Sequence, residues 1–353
     1  MKQIVLVFSL LLAAGVSAQT SVVKKSAMKS NGYGIAYTLP KTSLTVEAMV
    51  NKVIEKRGPY YAYAERFLQL KNVIAEDRAY YELVEVNLIN KGVPDPESSY
   101  LIEFKGGTLA PFVYLTKDNL ICSINVEVEA TASEKEEPQK PGKKVKDAPI
   151  PTLTEELLQA GSIAKQSEIA AKQIYRIRES RLNIITGEAD NMPPDGEAMK
   201  ITLNSLDEQE KALMSLFAGT VERTEEVYAT TLIPEGELDK EVLFRFSERL
   251  GIVDPDDLGG TPIYIRLANL GDQPPLDAKE AAKREKIKGI FYNVPGTGQY
   301  TITMGGKTLL KGDTPIVQFG VKEVLVSKML EDKKAPVRII FYSETGAIKQ
   351  IVQ

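Results

Sequence analysis

Serines placed three residues before a lysine are the first candidates for chemistry, because some acyl-transfer enzymes activate a serine with a lysine at this spacing. The sequence contains three such pairs, Ser21 with Lys24, Ser26 with Lys29, and Ser162 with Lys165. Those enzymes also carry Ser-Asp-Asn and Lys-Thr-Gly motifs, and neither motif occurs in this chain. We therefore interpret the pairs as chance matches between two common residue types.

The chain contains no histidine and a single cysteine, Cys122. Ser-His-Asp and Cys-His catalysis are therefore excluded within the chain, as are zinc sites built on histidine or on several cysteines. Cys122 lies in residues 120–128, where apolar and polar residues alternate as in a half-buried strand. Its thiol is predicted to pack on the apolar face, and one cysteine allows no disulfide within the chain.

An acidic loop formed by Asp254, Asp256 and Asp257 ends in two glycines and offers oxygen ligands of the kind that Ca²⁺ prefers. The loop lacks the ligand spacing and the final glutamate of an EF-hand, so a solvated turn is predicted instead. Residues 296–301 lack the lysine and the following helix of a phosphate-binding loop. We therefore assign no residue as catalytic, cofactor-binding or metal-ligating.

Five tyrosines form the best candidate for a binding surface, namely Tyr60, Tyr61, Tyr63, Tyr80 and Tyr81. Aromatic side chains with polar tips suit contacts to a glycan or a peptide. The alternative is structural, because the apolar residues of the segment 59–70 follow helical spacing and would pack one stripe of a helix on a sheet. Both interpretations stay open at this point.

Carboxylates offer another route to chemistry, since the chain has 48 aspartates and glutamates. A glycosidase works with two carboxyl groups that lie about 5–10 Å apart. The sequence alone does not select such a pair. We therefore expect a non-enzymatic binding or assembly component, and the alternative is a histidine-independent, carboxylate-based hydrolase that acts on a glycan or a peptide.

The N-terminal segment 1–18 has the three-part plan of a secretory signal peptide. Lys2 precedes an apolar run over residues 4–16, which is too short to span a bilayer. Small residues at the cleavage positions predict processing after Ala18, which leaves Gln19 at the mature terminus. We predict a soluble periplasmic or secreted protein with no integral membrane segment after cleavage.

The overall charge bears on the kind of partner. A net charge of −4 argues against nucleic acid, because phosphate contacts require clustered lysine and arginine. A protein or glycan partner in the envelope is left open.

The periodicity of the chain predicts an α+β protein in which two β-rich, sandwich-like domains are joined by a long antiparallel helical hairpin. Period-two alternation predicts a β-rich domain with one helix over residues 19–130, and it returns over residues 220–353. Residues 131–151 are rich in Lys, Glu and Pro and are predicted to form a flexible linker. Helical spacing over residues 152–219 predicts the hairpin.

Glycine and proline set the predicted ends of these elements. Pro40 is expected to end a short strand, and turns are expected at residues 92–97 and 296–298. One helix is expected to run from residue 152 to about residue 185, where Gly187 stops it. A second helix is expected to begin at the N-cap Asp195 and to end at Gly219. A short surface helix is expected within residues 276–288.

Short segments spread over the chain carry a family resemblance. They are Tyr33-Gly34, Leu39-Pro40, Gly58-Pro59-Tyr60, Tyr63-Ala64-Glu65, Pro94-Asp95-Pro96, Leu216-Phe217, Gly219, Phe319-Gly320 and Thr345-Gly346-Ala347. Their layout resembles an uncharacterised domain-of-unknown-function family of exported proteins from the Bacteroides group, over nearly the whole mature chain. The resemblance implies a bacterial envelope with two membranes, and it carries over no catalytic residues.

Overall fold

The computed structural model describes residues 21–24, 34–103, 112–127, 153–192, 196–274, 277–284, 286–287, 289–326 and 337–352. Within these ranges the protein is a mixed α and β structure in which strands predominate, so the predicted fold class is confirmed at that level. The predicted signal peptide, the cleavage site at Ala18 and Gln19, the linker, the Ser26 pair and the Asp195 cap lie outside the described residues.

Thirteen strands are present in the described ranges. They are β1 (Ser21–Lys24), β2 (Gly34–Lys56), β3 (Arg78–Glu103), β4 (Val113–Leu115), β5 (Ile121–Ile124), β6 (Thr220–Leu232), β7 (Leu238–Ser247), β8 (Gly251–Val253), β9 (Thr261–Asn269), β10 (Gly289–Met304), β11 (Lys307–Val326), β12 (Arg338–Phe341) and β13 (Ile348–Val352). They pair antiparallel in three sheets, in the orders β1-β3-β2-β6, β11-β10-β9-β7-β8 and β13-β12-β5-β4. Two long hairpins, β2–β3 and β10–β11, form the frame of the molecule.

Five α-helices are inserted between these strands along the described part of the chain. They are α1 (Ala64–Leu68), α2 (Glu155–Gln159), α3 (Ile163–Thr186), α4 (Gly196–Ala218) and α5 (Ala278–Arg284). Helices α3 and α4 pack side by side, with Arg181 Nη1 3.1 Å from Asp207 Oδ1. The predicted stops are confirmed, because Gly187 and Gly219 follow the helices with φ of 79° and 87°. The short helix α5 confirms the expected surface helix.

The expected single helix over residues 152–185 is wrong, because it is interrupted between α2 and α3. Ala160 is extended, with φ −64° and ψ 121°, and Gly161 follows. Ser162 then caps α3, since its side chain accepts a hydrogen bond from the Lys165 backbone N–H at 3.2 Å. An N-cap residue directly after a glycine favours the start of a second helix over the continuation of the first one.

The predicted strand end at Pro40 and the predicted turns at residues 92–97 and 296–298 are also wrong. Strand β2 continues through Pro40, which pairs with Pro94 at an irregularity in the register. Proline is tolerated in a sheet where a bulge removes the need for its N–H. Residues 92–97 lie within β3, and residues 296–298 lie within β10. The glycines and prolines of these segments therefore accompany bulges in continuous strands and do not reverse the chain.

Each long hairpin contributes to two apolar cores. One core contains Tyr37, Ile102 and Phe291, with β5 and β12 packed against it. The second contains Val46, Ile263 and Ile302 and lies at the other end of the hairpins. A third core joins α1 to α2, α3 and α4 around residues such as Ile174, Leu213 and Phe217.

Two of the three sheets combine strands from both predicted β-rich segments. Strand β2 of residues 19–130 pairs with β6 of residues 220–353, and β5 pairs with β12. The hydrogen bonding therefore does not follow the boundaries at residues 130 and 220. The division into domains stays a prediction.

Candidate functional site

The two long hairpins carry matching irregularities. In β2–β3, Thr38 pairs with Ser99 and Pro40 with Pro94, so residues 95–98 bulge out opposite one residue. In β10–β11, Val294 pairs with Val321 and Gly296 with Ile316, so residues 317–320 bulge out in the same way. Bulges of this kind occur preferentially beside functional sites, where they re-aim side chains.

A cavity of about 660 Å³ lies between these bulges, and we call it the bulge cleft. Its lining residues are Lys41, Asp95, Pro96, Glu97, Glu235, Asn293, Val317, Gln318, Gly320, Val321 and Lys322. Both bulges thus face the cleft, and charged residues of both signs line it. The volume lies within the range of about 300–1,000 Å³ that is usual for ligand sites.

Asn293 is the buried polar residue of this cleft, with a relative exposure of 1%. Its Nδ2 donates to the carbonyl oxygen of Pro40 at 2.9 Å and to that of Thr345 at 2.8 Å. Its backbone N–H donates to Gly346 O at 3.1 Å. Two carbonyl acceptors require the NH₂ group on this side, so the orientation of the amide is determined by its partners.

The Oδ1 atom of Asn293 is buried and has no hydrogen-bond partner among the described residues. A buried acceptor without a partner costs free energy, because folding removes its water without replacing it. A buried acceptor of this kind is satisfied when an ordered water donates a hydrogen bond to it.

The bulge at residues 317–320 is held by Gln318 and Thr42, which exchange two hydrogen bonds. The backbone N–H of Thr42 donates to Gln318 Oε1 at 3.0 Å, and Gln318 Nε2 donates to Thr42 O at 2.9 Å. The hydroxyl of Thr42 also accepts from the backbone N–H of Val317 at 2.9 Å. The glutamine side chain therefore takes the place of the missing strand partner of Thr42.

The bulge at residues 95–98 is held by Asp95 and tied to the other hairpin. The carboxylate of Asp95 accepts from the backbone N–H of Glu97 at 3.2 Å and from the hydroxyl of Ser98. The ammonium group of Lys322 donates to the same Ser98 hydroxyl. Pro94 and Pro96 lack backbone N–H groups, and this favours a departure from the regular hydrogen-bond pattern of the sheet in this segment.

The five tyrosine candidates differ in burial, and only Tyr60 among them is buried. Tyr60 is buried, with its ring 5.4 Å from that of Phe217, and this burial raises its pKa. Tyr81 packs against the core of β7 and β9. The structural interpretation therefore accounts for Tyr60 and Tyr81.

Three tyrosines remain more accessible, and each has a partner of its own. The guanidinium of Arg57 lies 5.5 Å from the ring of Tyr61, and Tyr63 stacks on Phe67 at 6.2 Å. Tyr80 donates to Glu55 Oε1 at 3.2 Å. Each of these three side chains therefore contacts another residue of the chain.

The acidic loop confirms the predicted turn. The backbone N–H of Asp257 donates to Asp254 O at 3.0 Å, and Asp257 Oδ1 accepts from the Gly259 N–H at 2.8 Å. Nowhere in the described part of the chain do three His, Cys, Asp or Glu side chains lie close enough to hold a metal ion.

The candidate nucleophiles have structural surroundings. Cys122 is buried in β5, as predicted, and burial together with the negative charge of Glu344 raises the pKa of its thiol. Ser162 caps α3, and the ammonium group of Lys165 lies 3.2 Å from Glu168 Oε2. Ser21 and Lys24 lie in strand β1, which pairs with β3.

No helix within the described ranges is long and apolar enough to cross a membrane.

The cleft residues were not among the sequence candidates. Asn293 is the last residue of a predicted strand, and nothing in the local sequence marks it as a site residue. Its hydrogen-bond partners Pro40 and Thr345 are remote in sequence. A usable signal exists in the resemblance, since three of its segments, Pro94-Asp95-Pro96, Phe319-Gly320 and Thr345-Gly346-Ala347, lie at the bulges or beside Asn293.

The fold and the cleft together define a strand-rich α and β protein with a polar cleft between two bulged hairpins. The chain belongs to the family described as Domain of unknown function (DUF4831), whose model matches residues 33–349. The resemblance to an uncharacterised family is confirmed at that level. Searches of curated proteins and of solved structures give no match.

Proposed function

We propose that this chain is an exported, non-enzymatic binding or assembly component of the bacterial envelope, and that its bulge cleft binds a polar glycan or peptide. The observation that carries the proposal is the cleft itself, a cavity of about 660 Å³ between two bulges that is lined by charged residues of both signs. The hydroxyl and amide groups of a ligand would form hydrogen bonds with the charged side chains of this lining.

The charges around the cleft favour a ligand with several polar groups. Lys41 and Lys322 supply donors, whereas Glu97 and Glu235 supply acceptors. Specific recognition in a pocket depends on a few fixed polar groups of this kind. Glycans and peptides carry donors and acceptors close together, and both can use all of these residues.

Export is part of the proposal and rests on the sequence. The segment before Gln19 has the plan of a cleavable signal peptide, which favours a periplasmic or secreted protein. In this proposal, α3 and α4 act as a helical hairpin between the β-rich segments. The ion pair of Arg181 with Asp207 and that of Arg178 with Glu210 support an antiparallel arrangement of the two helices.

A carboxylate-based hydrolase is the second candidate, and the acidic residues of the cleft favour it. Asp95 is engaged by Ser98 and by the Glu97 backbone, so Glu97 and Glu235 are the carboxylates left for acid and base roles. Hydrolysis by such a pair gives a bell-shaped dependence of turnover on pH. If the chain hydrolyses a glycan or a peptide and Glu235→Gln abolishes that activity, the hydrolase becomes the better supported function.

The proposed function is tested by screening the purified mature chain against glycan and peptide panels with isothermal titration calorimetry. For a ligand found in this way, we expect Lys41→Ala and Glu235→Gln each to weaken binding about ten-fold, as the loss of a charge-assisted hydrogen bond would. Glu222→Gln, an exposed change on β6, is the matched control and should leave the affinity unchanged. If both cleft variants bind the ligand with the affinity of the unmodified chain, the assignment of this site is refuted.

A further inference from the structure

Strand β6 forms one edge of the first sheet, and no described strand pairs with its outer side. All 13 of its residues pair with β2 without a register shift, from Thr220 opposite Lys56 to Leu232 opposite Leu44. The strand contains no proline, and none of its residues is buried. A long, regular edge of this kind presents backbone N–H and C=O groups with which another strand can pair.

The other described sheet edges lack this combination. Strands β1, β4, β8 and β13 have only three to five residues each. Strand β11 is long, but its pairing with β10 has two register shifts and it contains Pro315. Short strands, prolines and bulges protect a sheet edge from pairing with another chain. Among the described edges, β6 is therefore the best suited to pairing between molecules.

A second copy of the chain would pair with β6 antiparallel about a two-fold axis. Directly opposed residues lie on the same face of a sheet, so the axis passes through one residue of β6, which then lies opposite itself. An axis at Arg223, Glu225 or Glu226 would place two like charges directly opposite each other. An axis at Thr224 would place Glu222 opposite Glu226.

An axis at Val227 avoids these conflicts. It pairs residues 222–232 of both copies, and each charged residue of β6 lies opposite an uncharged residue of the second copy. Arg223, for example, lies opposite Thr231. The charges of β6 thus exclude the registers centred on residues 223–226 and leave the register centred on Val227 free of repulsion.

Exposed apolar side chains at the two ends of β6 favour the same register. Val221 and Ile233 have relative exposures of 41% and 43%. The axis at Val227 places Val221 of one copy opposite Ile233 of the other, so each end of the contact brings an apolar pair together. An axis at Tyr228 also avoids like charges, but it places Val221 opposite Glu235.

We propose that β6 is an interface between two copies of this chain, which pair antiparallel about Val227. The first sheet then continues from one molecule into the other, in the order β1-β3-β2-β6-β6-β2-β3-β1. The backbone groups at the edge of β6 gain partners, and the exposed ends of the strand are covered. The inference depends on the edge of the sheet and on no ligand in the bulge cleft, so it stands independently of the proposed function.

The first test is the molar mass of the mature chain, measured by light scattering during size-exclusion chromatography at a series of concentrations. We expect a dimer. Val227→Lys should weaken it by about ten-fold or more, because two ammonium groups would lie opposite each other at the axis. Ala229→Lys is the matched control, since it adds the same charge to the same face of β6 but lies opposite Glu225 of the second copy. This variant should remain dimeric.

The second test measures the register with nitroxide spin labels, one site at a time. Labels at Val227→Cys should lie side by side across the axis. Labels at Thr231→Cys should be eight positions apart along the strands, because Thr231 lies opposite Arg223, and this corresponds to about 27 Å. The unmodified chain, whose Cys122 is buried, gives the background labelling.

Three results would overturn the inference. They are a chain that stays monomeric at every concentration, a dimer that Val227→Lys leaves intact, and label distances that fit another register or another surface. Thermal unfolding of Val227→Lys and Ala229→Lys separates a lost contact from a lost fold, and the label distances test the interface without either lysine variant.

Discussion

The hydroxyl of Tyr37 exchanges two hydrogen bonds with the backbone of Phe291. The Phe291 N–H donates to Tyr37 Oη at 2.9 Å, and Tyr37 Oη donates to Phe291 O at 3.3 Å. The tyrosine ring also stacks on Tyr100, with centroids 5.5 Å apart, and Tyr100 stacks on Phe291 at 4.5 Å. This buried contact joins the β2–β3 hairpin to the β10–β11 hairpin.

Tyr37→Phe is expected to lower the free energy of unfolding by about 1–3 kcal/mol, because it leaves the buried N–H and C=O of Phe291 unsatisfied. The loss is measured from urea unfolding curves. Tyr61→Phe removes a hydroxyl for which the described residues provide no hydrogen-bond partner, and it should change the unfolding midpoint very little. Equal effects of the two substitutions would contradict the role given to the Tyr37 hydroxyl.

Stability is expected to fall at high pH partly through Tyr37. Burial raises the pKa of Tyr37 far above its usual value. The folded state therefore favours the neutral phenol, and its contribution is complete below the unfolded pKa of about 10 and is lost as the pH rises above that value. Urea unfolding at pH 9, 10 and 11 should show a shallower decline for Tyr37→Phe than for the unmodified chain. Tyr61→Phe should decline as the unmodified chain does.

Glu210 is the acidic partner of two arginines between α3 and α4. Its Oε1 lies 2.6 Å from Arg178 Nε, and its Oε2 lies 2.8 Å from Arg181 Nη1. We expect Glu210→Ala to cost about 1–2 kcal/mol, less than a fully buried pair, because both arginines are partly exposed. Glu208→Ala, at an exposed position of the same helix, is the control for thermal unfolding. An equal or larger loss in Glu208→Ala would contradict the role given to the ion pairs of Glu210.

The fragments 19–130 and 220–353 are expected to remain unfolded when each is produced alone. Strand β2 would lose its partner β6, and β5 would lose β12. Unpaired central strands leave buried backbone groups unsatisfied, so circular dichroism and amide exchange should show no cooperative structure. A fragment that unfolds cooperatively by itself would support the predicted domain boundaries against this expectation.

The mature chain is expected to begin at Gln19. Removal of residues 1–18 follows from the small residues Val16, Ser17 and Ala18 before the cleavage point. Mass spectrometry of the N-terminal peptide from cells that produce the full chain measures this directly. Recovery of intact Met1 in the envelope fraction would contradict cleavage and would indicate an uncleaved anchor.

Local signals in the sequence predicted the strand-rich class and the helix stops well. Gly187 and Gly219 follow α3 and α4 because a glycine adopts the left-handed conformation that ends a helix without strain. The burial of Cys122 was predicted from the alternation of apolar and polar residues, although all four residues of β5, including the polar Ser123, are buried. These features depend on neighbours within a few positions, which a single sequence displays.

Remote partners explain what the sequence did not predict. The strand does not end at Pro40, because Pro94 pairs with this residue at a bulge in the register. The pattern of residues around Pro40 gives no indication of this pairing. Asn293 gains its significance only from Pro40 and Thr345. The bulge cleft is likewise a product of two hairpins, each of which has the local pattern of an ordinary strand or turn.

The pairing of early strands with late ones determines when the fold can form. Strand β2 needs β6, and β5 needs β12, which ends only at Phe341. During synthesis the apolar faces of Tyr37 and Ile121 therefore stay uncovered until almost the entire chain has been made. High contact order slows folding and prolongs exposure of strand edges. The nascent chain therefore exposes unpaired strand edges until its C-terminal strands have been made.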